Sequence, residues 1–149
     1  MNPTHLRVGN IVIDPFGRYA KLEKIDGRGS VALSALNGDY SWEGYRLSDI
    51  LPIVLTENIF LSLGFFAEHA KPSVSHSLFY SKEVADYKYS FAYAGFRNDW
   101  GFYHSYTDAF TEAQNNTFDA ISFGIKHLHE LQNLWFALTQ DELETTNLQ

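Results

Sequence analysis

The sequence predicts an α+β fold: an N-terminal small SH3-like β-barrel, then an antiparallel aromatic sheet with a short central helix and a C-terminal core helix. Three observations point there. Residues 1–47 hold four short β-patterned stretches joined by tight-turn signals, residues 65–106 alternate aromatic with polar or small side chains, and residues 125–139 change to apolar spacings of three and four. On this pattern residues 1–50 form a small β-barrel lobe and residues 51–149 an α+β lobe, joined as one compact unit. With 45% hydrophobic and 16% aromatic residues the chain can bury a core at this length, which excludes a disordered class.

Each element has its own local reason. LRVGNIVI carries β-branched residues at strand spacing, Pro15-Phe16-Gly17 turns the chain, and RYAKLEKI alternates Tyr19, Lys21 and Glu23 with Ala20, Leu22 and Lys24 as a half-buried strand should. Asp26-Gly27-Arg28-Gly29 is a turn, because glycine tolerates positive φ, and SVALSAL, Asn37-Gly38 and DYSWEGYRL read as strand, hairpin turn and strand. Four such strands suggest the barrel. After a connector containing Pro52, Thr56 is placed to cap a short helix of about residues 57–63, with Glu57 at its positive end and Gly64 ending it. VSHSLFYS, YKYSFAYAGF and WGFYHSY form a meander that turns at Asn98-Asp99. Residues 107–116 read as loop, and 118–123 as strand or the opening turn of the last helix, with strand favoured.

Charge and composition narrow the function classes. The net charge is −7, and residues 51–149 carry five Lys/Arg against twelve Asp/Glu. Nucleic-acid binders show the opposite bias, since phosphate neutralisation supplies most of their affinity. An acidic body suits a basic protein surface better. The absence of cysteine excludes disulfides, thiolate metal sites and a cysteine nucleophile, and fits a reducing, cytoplasmic location. No apolar run approaches the ~18 residues of a membrane span.

The stretch KHLHELQNLWFALT, Lys126 to Thr139, poses the main chemical question. Read as continuous helix, Ile125, Leu128, Leu131, Trp135 and Leu138 form one apolar face. His127 and His129 then lie about 200° apart around the axis and cannot grip one ion as an i, i+4 pair would. Gln132 and Asn133 are expected to hydrogen-bond to loop backbone beside the apolar face. The stretch therefore reads as a core helix with a polar seam, and no cofactor or metal is expected.

Other chemistry is sparse. Asp26-Gly27-Arg28-Gly29-Ser30 lacks the strand–loop–helix context of a phosphate loop, and no H-E-x-x-H or G-x-S-x-G occurs. His76, His104 and Asp99, with His69 and Glu68 nearby in sequence, would be the groups of a small hydrolase or metal enzyme. Tyr87, Tyr89, Tyr93, Arg97, Trp100 and Tyr103, with Asp108 and Glu112, are candidate protein-binding anchors, because Tyr, Trp and Arg dominate interface hot spots. A nucleic-acid module would instead use Arg7, Arg18, Lys21, Lys24 and Arg28 on phosphate, with Tyr19 and Trp42 stacking on bases.

HELQNLWFALTQDEL, together with LRVGNIV and PIVLTENIFLSLGF, resembles an uncharacterised family of Bacteroidota and their phages. In that family a His-x-Leu-Gln-Asn-Leu-aromatic-Phe-Ala-Leu-Thr run closes the chain, and the three anchors span most of this sequence. Gln140 stands where the resemblance leads one to expect glycine. The resemblance implies a cytoplasmic, non-enzymatic phage or prophage accessory protein that binds and inhibits a host protein. An anti-CRISPR against an RNA-guided nuclease, such as the type VI-B RNA-targeting effector with or without its guide RNA, is the implied candidate. It brings no active-site residues.

Overall fold

Alternation of buried Ala20 and Leu22 with exposed Lys21 and Glu23 gives the second strand a dry face and a wet one, and the next strand repeats it with buried Val31, Leu33 and Ala35. The structure is a computed structural model that describes residues 5–69, 78–106 and 119–148, with the backbone alone described for 104–106 and 119–123. Along the chain run β1 (Ile11–Ile13), β2 (Tyr19–Ile25), β3 (Ser30–Ala35), β4 (Ser41–Arg46), α1 (Glu57–Ser62), β5 (Phe66–His69), β6 (Leu78–Val84), β7 (Tyr87–Ala94), β8 (Asp99–Tyr106), β9 (Asp119–Ile125) and α2 (Leu128–Thr139). They group into two units: residues 1–55 with 127–149, and residues 56–126.

In the first unit β1 to β4 form an antiparallel meander in sequence order. The expected SH3-like barrel is corrected here: the sheet is open, with β1 and β4 at its two edges. Closure fails at the edge of β1, through partners distant in sequence. The outward N–H groups of β1 are already used, since Ile11 donates to Gln132 Oε1 at 2.9 Å and Ile13 to the Leu51 carbonyl at 2.9 Å. Helix α2 lies along β1, where a barrel would need its closing strand. One side of the sheet gathers Val12, Ala20, Leu22, Val31, Leu33 and Ile50 into a core, with Leu6, Trp42, Tyr45 and Leu47 around it.

Helix α2 starts later than its apolar pattern suggests. Ile125 ends β9, Leu138 is exposed, and the buried face is Leu128, His129, Leu131, Gln132 and Trp135. At its end Gln140 takes the left-handed conformation (φ 63°) that glycine adopts without cost, and its N–H donates to the Phe136 carbonyl at 2.9 Å. The Gln140 side chain reaches the Phe136 and Ala137 carbonyls at 3.3 Å, which offsets part of that cost.

In the second unit β5 to β9 form an antiparallel sheet in sequence order, and residues 119–125 are strand, which settles the choice the sequence leaves open over 118–123 and carries the strand on to Ile125. The Thr56 hydroxyl accepts from the Ile59 N–H at 3.3 Å and caps α1, and Gly64 follows the helix at φ 77°. Phe60, fully buried, is the hub: its ring lies 4.7 Å from Trp100, 5.3 Å from Phe65 and Phe91, and 5.6 Å from Tyr80. Beneath Glu68 the Ser81 and Ser90 hydroxyls share a 2.7 Å hydrogen bond, both fully buried. Among the described residues no helix is long and apolar enough to cross a membrane.

Phe60→Ala should lower the unfolding free energy by about 3–5 kcal/mol through the cavity and lost ring contacts. Phe96→Ala, at a ring 90% exposed, should change it little. Urea unfolding of the two variants checks this.

Candidate metal centre at the start of α2

The first residue of the site is not helical. His127 has φ −125° and ψ 152°, bridges Val54 in antiparallel fashion, and passes the chain on to Leu128, whose N–H donates to the Ile53 carbonyl at 2.9 Å. Its extended backbone invalidates the angle that a helical wheel assigns between His127 and His129. The two imidazoles instead stack, with centroids 5.5 Å apart and planes within 12°. This corrects the expectation that the two rings point to opposite sides, on which the expected absence of a metal rested. Glu130, on the first turn, completes the group: its carboxylate accepts from the His127 backbone N–H at 3.0 Å and lies 3.5 Å from His127 Nδ1. One donor atom each from His127, His129 and Glu130 falls within 4.8 Å of the others.

His129 is the unusual member. It is 3% exposed, and its Nδ1 has no hydrogen-bond partner. Leaving such a group unmatched costs about 1–3 kcal/mol. Burial pushes its proton affinity down, Glu130 pulls the other way, and His127 and His5 add to the lowering. The ring is therefore neutral near pH 7 and has a lone pair to offer. A tetrahedral zinc ion with bonds of about 2.0–2.1 Å needs its ligand atoms roughly 3.3 Å apart, so modest side-chain rotation closes the set.

Next along the helix comes the polar seam expected from the sequence. Besides accepting from Ile11, Gln132 donates from Nε2 to the Gly9 carbonyl at 3.4 Å. Asn133 Nδ2 donates to the His5 carbonyl at 2.6 Å, and its Oδ1 accepts from Arg7 Nε at 2.8 Å and Asn10 Nδ2 at 3.0 Å. Arg7 also grips Glu142 with both terminal nitrogens, at 2.6 and 2.8 Å, while its guanidinium sits 4.6 Å over the Phe136 ring. Those bonds hold the Glu142 carboxyl below its ordinary range despite partial burial.

The other sequence candidates fall in several places. Of the nucleic-acid set, Arg7 belongs to the seam, Lys21 pairs with Glu23 at 3.5 Å, Lys24 and Arg28 are exposed, and Tyr19 is half-buried. Arg18 and Trp42 meet at one end of the first sheet, where the Arg18 guanidinium lies 4.6 Å over Trp42, 4.9 Å over Phe16 and 5.3 Å over Tyr40. Asp14, with a fully buried carboxylate, holds Arg18 at 2.8 Å. Burial alone would push the Asp14 carboxyl up, but the hydrogen bonds from Arg18 and Phe16 outweigh it and hold the group below its ordinary value. Of the protein-binding set, Tyr87, Tyr93 and Arg97 are exposed, Tyr103 is half-buried, Tyr89 and Trp100 are buried, and Asp108 and Glu112 lie outside the described residues. In the hydrolase set His76 and the His104 side chain lie outside them too, and Asp99 pairs with Arg97 at 3.1 Å. Its carboxylate packs on Gly124, where a Cβ would collide with it.

Among known proteins, no family model, no curated protein and no solved structure matches this chain. The phage and anti-CRISPR identity implied by the resemblance is therefore without support there.

Gln132→Ala should cost about 1–3 kcal/mol, because it strands the buried Ile11 N–H. Asp14 titrates below its unfolded value of about 3.8, so the stability it supplies is fully present above that pH and fades as pH falls through the lower folded value. Asp14→Asn should therefore flatten the acid side of a stability–pH curve measured by urea unfolding.

Proposed function

We propose that this chain binds a divalent metal ion of the zinc class at the start of α2, through His127, His129 and Glu130, as a non-catalytic structural or regulatory ion. The observation that carries the reading is the gathering of donors from His127, His129 and Glu130, in which buried His129 also has an Nδ1 without a hydrogen-bond partner. A packed interior rarely keeps an unmatched imidazole nitrogen without a use for it. Two imidazoles and a carboxylate suit zinc, with nickel and copper as chemical neighbours. Glu130 is held by the His127 N–H, as ligating carboxylates commonly are held by a second group. The proposal includes a cytoplasmic setting, which the lack of cysteine fits.

Calorimetric titration of untagged, metal-free protein with zinc chloride should give one site per chain. At a free zinc concentration of 100 times Kd the protein should gain about 2.7 kcal/mol in stability. His129→Leu should abolish the heat of binding while leaving the metal-free protein at least as stable as the parent, since it removes an unmatched polar atom at similar volume. Equal zinc affinity of parent and His129→Leu would overturn the reading.

A second reading, recognition of a partner protein, is favoured by the Arg18 patch. Phe16 and Tyr40 are 68% and 45% exposed, and buried Asp14 fixes the guanidinium among three rings. This is the composition of an interface hot spot.

A further inference from the structure

A zinc site with three protein ligands and an open position has the form of a catalytic centre, whereas structural sites take four. The proposed ion therefore needs a fourth donor if it is not to serve chemistry, and the helix face beside it supplies a candidate. His129 and Asn133 are four residues apart on α2 and share one face. Asn133 Nδ2 holds the His5 carbonyl at 2.6 Å, which fixes the backbone of His5 against Asn133, one helical turn along from His129. The tether is reinforced on either side of Asn133 and His5. Arg7 binds Asn133 and Glu142, and Asn10 accepts the Arg7 N–H at 2.9 Å while donating to Asn133. The His5 side chain itself is exposed, so its ring is not locked in another packing arrangement.

We propose that His5 is the fourth ligand, swinging its imidazole over the start of α2 to close a three-histidine, one-glutamate zinc site. This rests on the reading of His127, His129 and Glu130 given above and decides its class. The first-strand approach segment becomes part of the metal centre, and no position is left for a substrate or an activated water. Zinc then acts as a clasp between residue 5 and α2, next to the clasp that Arg7 makes without metal. Closure asks the His5 imidazole, which lies outside the three-residue cluster, to move onto it from the backbone position that Asn133 holds.

The test uses the untagged full chain with zinc chloride and cobalt chloride as probes. Zinc affinity is measured by competition with a chromogenic chelator for the parent, His5→Ala, His5→Gln and His129→Leu. Far-ultraviolet circular dichroism checks that each variant is folded. The expected result is a loss of at least about tenfold in zinc affinity for both His5 variants, the lower end for weakening a metal shell. The cobalt-loaded parent should show the intense visible bands of tetrahedral coordination, and the His5 variants the weaker bands of a higher-coordinate ion. Parent-like affinity and spectra in both His5 variants, with binding lost in His129→Leu, would overturn the assignment of His5 and leave a three-ligand site. Absence of zinc binding in the parent would overturn both.

Discussion

A glutamine side chain stands in for a β-strand. The Gln132 amide accepts from the Ile11 N–H and donates to the Gly9 carbonyl, so the outer edge of β1 pairs with a helix and not with another strand. Donor and acceptor are 121 residues apart in sequence, and the contact draws the C-terminal helix onto the N-terminal sheet. The rest of the first unit follows from it. The sheet stays open, α2 has a face on which to bury Leu128, Leu131 and Trp135, and the segment from His5 to Asn10 is laid along the helix by Asn133 and Arg7. Buried polar groups of this kind are costly unless fully matched, and here each amide finds partners at both ends.

That completeness makes His129 informative. The same helix face that matches every hydrogen-bonding atom of Gln132 and Asn133 leaves the His129 Nδ1 unmatched one turn earlier. It is the one buried side-chain polar atom without a partner among the described residues. Under the proposed reading, that unmatched nitrogen trades stability of the metal-free protein for a stronger hold on an ion.

Much of this was legible in the sequence because it is local. Strands β2, β3 and β4 and their turns, the Thr56 cap, β7 and the role of Gln132 and Asn133 all follow from period, turn residues and side-chain chemistry. What failed was non-local or depended on a single backbone angle. Whether four strands close or stay open is decided at the edge of β1, by Leu51 and Gln132, and no local pattern around residues 11–13 encodes those partners. The His127–His129–Glu130 cluster is hidden in the sequence when the helical period is extended through residue 127. The spacing His127-x-x-Glu130 is that of a helix cap followed by its third-position acid, and it marks the helix start one residue before Leu128. With the boundary so placed, the two histidines no longer fall on opposite faces. Arg7 and Arg18 looked like phosphate ligands because sequence alone does not show that Glu142 and Asp14 hold them.

The most direct measurement is X-ray absorption at the zinc edge on the untagged protein loaded with one equivalent of zinc. The expected spectrum shows a first shell at about 2.0–2.1 Å of nitrogen and oxygen donors, with the outer-shell features of more than one imidazole. An all-oxygen shell without imidazole scattering would contradict a metal centre built on His127 and His129.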